Sequence, residues 1–238
     1  MTILIERDGA IASVVLNRPE AGNRLDAATL DALRDALTEL AAVDTPSVVV
    51  LRAVGADFSL GRQASDIAPT PSAITAEFER VQAVNDLLQW FPTVTIAALK
   101  GEARGAGLSL AGRCDLVVAG EGTRLSFPEV QHDIPPTIVL SHYRYVLPRK
   151  VLYDLVLTGR VLSAEEGVAA GLVSRVVPDI ALEESAMELA GQIAKYDERT
   201  LRTIKRFMRR TEGMNPNDAP PYGIATFANE MSDRSYPG

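Results

Sequence analysis

GEARGAGLSLAGRCDL, residues 101–116, sets four glycines and a serine between two apolar runs, TVTIAAL before it and CDLVVAG at its end. Both runs are short and rich in β-branched residues, so they read as buried strands. A strand that enters a glycine-rich turn and opens a helix is used where backbone must come close to a ligand. Three chemistries use it. A phosphate cradle fails on spacing: Gly105-Ala106-Gly107 is followed by Leu, Ser, Leu and Ala, so the third glycine of G-x-G-x-x-G is missing, and no Lys-Ser/Thr pair makes a P-loop. A nucleophile elbow comes closer, because Gly107-Leu-Ser109-Leu-Ala111 is one methyl group from G-x-S-x-G. That elbow needs a base, and the two histidines, His132 and His142, both fall within 33 residues of Ser109, a short return for the hydrolase order. The third chemistry is an oxyanion hole. Ala106 between two glycines leaves backbone N–H groups uncovered at a helix start, and each such donor is worth about 3–4 kcal/mol where charge develops on an oxygen. A tight turn that only lets a helix pack closely stays open beside it.

Outward from this stretch, strand and helix signals alternate. TILIERDG and AIASVVLNR flank Asp8-Gly9, a strong hairpin signal. Leu30, Leu33, Leu37 and Leu40 recur at helical spacing behind Asp26, a suitable N-cap. SVVVLRAV, from Ser47, is a run suited to a parallel sheet buried on both faces. Pro69 to Pro71 reads as a loop, and Phe78, Val81, Val84 and Leu88 mark a helix closed by Phe91-Pro92. LSFPEV places Glu129 behind a proline, Ser163 to Glu166 forms a capping box, and Gly171 is a C-terminal cap before LVSRVV. The β-branched runs end near Pro178. From Asp179 the chain reads helical, with a break at Asn215 to Pro221. RTLRTIKRFMRR is the basic run in that part and reads as a solvated helix face, with Leu201, Ile204 and Met208 on its apolar side. The expected fold is therefore α/β, with a core over residues 1–178 and an α-helical segment over 179–238.

Composition narrows the function classes. The chain has 238 residues, 47% hydrophobic and 23% charged, as in soluble globular proteins. A net charge of −7 argues against nucleic-acid binding, which needs a basic footprint. One cysteine, Cys114, allows no intramolecular disulfide and suits a reducing compartment. MTILIERDG lacks a signal-peptide pattern, and no apolar run reaches the roughly 18 residues of a membrane span, so a cytoplasmic protein is expected. Without HExxH or a third ligand near the histidines, no metal is expected.

The block FPTVTIAALKGEARGAGLSLAGRCDLVVAG, then LSFPEV, then LTGRVLSAEEGVAAGLVSRVVP, together resemble the crotonase (enoyl-CoA hydratase/isomerase) superfamily. NRPEAGNRLD from Asn17 and FSLGRQASD from Phe58 resemble the family's NRPxxxNAL and FSAGADL segments. The resemblance implies a ββα spiral core with a C-terminal helical segment, and a coenzyme A thioester as substrate, with no covalently bound cofactor. It implies that backbone N–H groups of Arg62 and Ala106 hold the thioester oxygen of an enolate and that Glu129 moves the proton. Arg24, Leu25, Gly61, Gly105 and Gly107 fall at the positions expected to meet coenzyme A. A homotrimer or a pair of trimers is implied, although the chain ends at SDRSYPG, where a last short helix begins in many members.

The departures from the family pattern sharpen the expectation. Ser109 stands where family hydratases carry a second glutamate that helps activate water, and a hydroxyl cannot take that proton. One carboxylate suffices to shuttle a proton between two carbons, so isomerase-type transfer by Glu129 is the favoured expectation. Decarboxylation, C–C hydrolysis, a catalytically inactive acyl-CoA binder and a serine hydrolase using Ser109 are the alternatives. Where the family has IPGAGG the chain reads HDIPPTIVLSHYR, so His132, Asp133 and His142 are further candidates for the pocket. Gln63 replaces the usual aspartate after the first donor.

Overall fold

The computed structural model describes residues 1–42, 45–63 and 70–232. β1 (Ile3–Asp8) and β2 (Ile11–Leu16) form the expected hairpin, antiparallel from Ile3↔Leu16 to Asp8↔Ile11. Gly9 turns it with φ +55°, as a two-residue loop requires. α1 (Ala27–Ala42) follows, its Thr29 N–H donating to Asp26 Oδ1 at 2.8 Å, and it buries Leu30, Leu33, Leu37 and Leu40 completely. Each such leucine is worth about 1.5–3 kcal/mol relative to exposure. β3 (Val48–Ala53) then pairs parallel to β2.

α2 (Pro71–Gln89) starts one residue earlier than a loop through Pro71 allows. Thr70 is the N-cap, accepting from Ala73 N–H at 3.3 Å, and Pro71 takes the first helical position, where its missing N–H costs nothing. Pro69 lies outside the described residues. Val81, Val84 and Leu88 are buried, Phe78 is half-buried, and the helix ends before Phe91-Pro92.

From here the chain winds in a repeating pattern of two strands and a helix. β4 (Val94–Leu99) pairs parallel to β3, and Gly101 turns the chain into β5 (Glu102–Arg104). Gly101 has φ +52°, and a Cβ there would lie 2.2 Å from the Ala56 carbonyl. α3 (Ala106–Ala111) completes that pass. The next pass contributes β6 (Leu116–Gly120), β7 (Arg124–Ser126) and α4 (Thr137–Tyr143). α5 (Arg149–Thr158), β8 (Leu162–Ser163), α6 (Ala164–Ala170) and β9 (Arg175–Val177) follow, with the capping box of Ser163 and Glu166 formed and Gly171 closing α6 at φ +84°. The result is one sheet in the order β1-β2-β3-β4-β6-β9 and a smaller one in the order β5-β7-β8. Ser59, beyond β3, bridges Ala103 of β5. Successive passes therefore bring the turns at 59–62, 104–106 and 126–129 side by side.

The large sheet is covered on both faces. Val49, Leu51, Ala97 and Leu99 point into the main core with α1. Their alternates Val48, Val50, Ile96 and Ala98 meet Leu182, Ala186, Leu189 and Ala190 of α7 (Leu182–Ile193). The helical segment after Pro178 thus begins as a layer of the core.

α8 (Glu198–Thr211) keeps Arg199, Arg202, Arg206 and Arg210 exposed, as a solvated basic face requires, and corrects the reading at its other two cations and its apolar side. Lys205 is buried, its Nζ 2.7 Å from Asp115 Oδ2 and 2.9 Å from the Thr93 carbonyl, and Arg209 Nη2 lies 3.2 Å from Asp115 Oδ1. Ile204 and Met208, expected on the packed side, are 56% and 63% exposed. The Asp115 carboxylate decides the orientation: it sits at the start of β6, accepts from Thr95 N–H at 2.8 Å, and draws both cations inward. α9 (Ala219–Ser232) begins inside the expected break, with Pro220 and Pro221 in its first turn, and Tyr222 stacks on Phe207 at 5.7 Å. Among the described residues no helix is long and apolar enough to cross a membrane.

Candidate active site

The three adjacent turns, with α2 and the start of α4, enclose a cavity of about 780 Å³. Its first wall is made of loops. Gly105 has φ +47°, its N–H donates to the Ser126 carbonyl at 2.9 Å, and a Cβ on it would lie 3.0 Å from Glu129 Oε1. Ala106 is the first residue of α3, so its N–H is among those that a helix leaves without an internal acceptor. Gly61 has φ +89°, and a Cβ on it would lie 2.9 Å from the Arg104 carbonyl and 3.8 Å from the Ala106 nitrogen. Residues 61–62 and 104–106 are thus in van der Waals contact, with Arg62 and Ala106 on one wall.

Leu25 and Gly107 were expected at the coenzyme A site, and neither lines the cavity. Leu25 is fully buried behind it. Its N–H donates to the Gly61 carbonyl and its own carbonyl accepts from Gln63 N–H, both at 2.9 Å, which fixes the loop that carries Arg62. Gln63, where the family has aspartate, is held further by Arg18 Nη2 at 3.3 Å. Gly107 serves packing: a Cβ there would lie 2.6 Å from that of Ser59. The neighbouring Asn23 is buried and pins the same region, donating to the Val54 and Asp57 carbonyls at 2.8 Å.

Glu129 opens a short 3-10 turn after Pro128. Its Oε2 is buried and meets no hydrogen-bond partner among the described residues. Burial pushes the carboxyl above the ordinary carboxylate range, against a smaller opposing effect of its own backbone and of His132. His132 is exposed and lines the cavity, whereas Asp133, with φ +57°, caps the turn and lies off the wall.

The second wall is helical. Ile74, Phe78, Val81 and Asn85 of α2, Ser109 of α3 and Val139 of α4 line it. Ser109 sits within the body of α3, its N–H bonded to the Gly105 carbonyl at 2.9 Å, so it occupies no strand-to-helix elbow. The short return along the chain nevertheless brings a histidine to it. His142, on α4, places Nδ1 3.5 Å from Ser109 Oγ, because α4 folds back over α3. His142 Nε2 lies 2.8 Å from Gln82 Oε1, and Gln82 Nε2 donates to Asp86 Oδ1 at 2.7 Å. His142 stands behind the wall and not on it. Burial, with Arg113 nearby, brings its pKa down to about 4, so the imidazole is neutral at neutral pH.

Arg24, Arg62 and Arg104 are the arginines that line the cavity. Arg24 donates to the Leu60 carbonyl at 3.1 Å, and Arg104 pairs with Glu102. The Arg62 guanidinium is engaged by α2, 3.5 Å from Glu77 Oε1 and 5.1 Å above the Phe78 ring. Sequence reasoning passed over Arg104, Gln82 and Asn85. Asn85 had a signal, since it interrupts the apolar stripe of Val81, Val84 and Leu88. No group of three His, Cys, Asp or Glu that could hold a metal occurs among the described residues. Cys114 is buried and its thiol is pushed up to about 12, which leaves it unreactive.

Known proteins resemble this chain along most of its length. Residues 6–221 match the enoyl-CoA hydratase/isomerase family model. The chain is 33% identical over 217 residues to the 2,3-dehydroadipyl-CoA hydratase of Escherichia coli (strain K12), covering 88% of this chain and 82% of that protein. Its fold is similar to the crystal structure of an enoyl-CoA hydratase from Mycobacterium smegmatis, with a TM-score of 0.92 and 29% identity over 99% of this chain and 93% of the other. It is similar also to an enoyl-CoA hydratase/isomerase family protein from Silicibacter pomeroyi, with a TM-score of 0.91 and 27% identity over 98% and 100% of the two chains. The chain belongs to the enoyl-CoA hydratase/isomerase family and has the crotonase-type spiral fold.

Proposed function

We propose that the protein performs enolate chemistry on an acyl-CoA thioester, with Glu129 as its one proton-moving carboxylate. The observation that carries this reading is the buried, unpartnered Glu129 Oε2 beside the backbone of Gly105 and Ala106 in one cavity. In isomerisation of a 3-enoyl thioester, the Glu129 carboxylate takes a proton from the α-carbon. The electron pair delocalises onto the thioester oxygen, which accepts hydrogen bonds from the Arg62 and Ala106 N–H groups. Glu129, now the acid, returns the proton to the γ-carbon, and the double bond ends between the α- and β-carbons. A carboxyl with a raised pKa suits both halves of that transfer. Arg24 and Arg104 on the cavity lining are the cations available to the coenzyme A phosphates. The same reading carries a cytoplasmic assembly of three or six copies, supported by exposed Ile204, Met208, Ile224 and Phe227 on the last two helices.

Incubation with a 3-enoyl-CoA and a 2-enoyl-CoA in deuterated water, followed by mass spectrometry, tests it. The expected result is a shifted double bond with deuterium uptake that Glu129→Gln abolishes. A mass gain of one water replaces isomerisation with hydration, and no change in either substrate overturns both. Serine hydrolysis is the second reading, favoured by the Ser109–His142 contact. Loss of turnover on activated esters in Ser109→Ala, with Glu129→Gln unaffected, would select it.

A further inference from the structure

Asn85 has no exposed surface, lines the cavity, and has neither Nδ2 nor Oδ1 hydrogen-bonded among the described residues. A buried amide left unpaired is costly, so an apolar acyl chain seated against it would leave a donor and an acceptor unsatisfied. The rest of α2 facing the cavity is apolar apart from Thr75, with Ile74, Phe78 and Val81. Asn85 is therefore a fully buried polar group on a largely apolar wall.

Ser109 adds a directional constraint. Asp86 accepts from Gln82 Nε2, which turns Gln82 Oε1 toward His142. An amide oxygen only accepts, so His142 Nε2 carries the proton and Nδ1 does not. Nδ1 then accepts from Ser109 Oγ–H, at 3.5 Å. With its proton committed, Ser109 Oγ offers lone pairs to the cavity.

We infer that the cavity selects an acyl group bearing a hydroxyl beyond the thioester, with Asn85 Nδ2 donating to the oxygen of that hydroxyl and Ser109 Oγ accepting its one proton. Asn85 and Ser109 are specificity-determining residues in this scheme, and His142 and Gln82 are positioning residues. The inference rests on the acyl-CoA reading of the site.

The test compares hexanoyl-CoA with 6-hydroxyhexanoyl-CoA and 6-oxohexanoyl-CoA by calorimetry, which needs no turnover, and the matching 2-enoyl thioesters by kcat/KM. Wild-type protein should favour the hydroxyl ligand over the alkyl one by about 10- to 100-fold. Asn85→Leu should erase that ratio while still binding hexanoyl-CoA. Asn85→Ser, which keeps a smaller polar group, serves where the leucine variant fails to fold. Ser109→Ala should weaken the hydroxyl ligand and leave the 6-oxo ligand, which cannot donate, unchanged. Equal affinity of wild type for alkyl and hydroxyl ligands overturns the inference and leaves the acyl-CoA reading intact. A preference for the 6-oxo ligand over the hydroxyl one overturns the donor role of the ligand. Failure of all three to bind overturns the acyl-CoA reading and the inference with it.

Discussion

The loop wall and the helical wall face the same cavity and treat their polar groups in opposite ways. On the loop wall, positive-φ glycines at 61 and 105 strip the backbone bare, and Glu129 is buried with an oxygen left unpartnered. On the helical wall, Ser109 is tied through His142 and Gln82 to Asp86 and carries no charge of its own. Capacity to move a proton is concentrated on one side and hydrogen-bonding selectivity on the other. Removing one group from each wall should therefore give effects of very different size.

The largest effect belongs to Glu129→Gln. A positioned acid or base contributes about 10²–10⁴-fold, and kcat on the accepted thioester should fall by about that factor with KM little changed. Steady-state rates on purified variants measure it, and a loss below tenfold would move the chemistry to another residue. Gly105→Ala comes next. Alanine at φ +47° is strained, and its Cβ would press on Glu129 Oε1 at 3.0 Å. Strain of this kind costs about 1–3 kcal/mol, so urea unfolding should show that loss of stability together with a drop in kcat. The corresponding change on the helical wall, Ser109→Ala, removes no proton carrier. It should alter kcat on unsubstituted acyl chains by less than about tenfold, within the range of one lost neutral hydrogen bond.

What the sequence discloses about the two walls differs for the same reason. The loop wall is written in local signals: Gly61, Gly105 and the Pro128-Glu129 pair each mark backbone geometry within a few residues. The β-branched strands and the leucines of α1 are legible likewise, because burial repeats at the period of each element. The helical wall depends on tertiary approach. His142 lies 33 residues from Ser109 and Gln82 lies 60 from His142, and no spacing rule ties them. The packing role of Gly107 is hidden for a related reason, since its close neighbour Ser59 comes from a distant segment of the chain. α8 shows the limit of periodicity most clearly: the apolar spacing of Leu201, Ile204 and Met208 points one way, and the charge of Asp115 turns Lys205 and Arg209 inward instead.

Acid should set the two walls against each other. Glu129 has its folded pKa raised by burial, so its contribution to stability is fully present below the ordinary carboxylate range and is lost as pH rises through the raised value. At neutral pH Glu129→Gln should accordingly raise Tm, by about 2–4 °C for each kcal/mol of relieved desolvation, and the gain should shrink toward pH 4. His142 has the opposite sign. Its pKa falls from 6.5 to about 4 on folding, so its contribution is present above pH 6.5 and is lost as pH drops through about 4. Protonation there would also place a donor at Nδ1 against Ser109 Oγ, whose own proton must then rotate away. His142→Gln should flatten the loss of Tm between pH 6.5 and 4 that wild type displays, and it should do so while leaving the neutral-pH activity loss of Glu129→Gln unchanged. Melting curves at half-unit intervals across that window measure both slopes, and parallel slopes for wild type and His142→Gln would show that the helical wall does not titrate on folding.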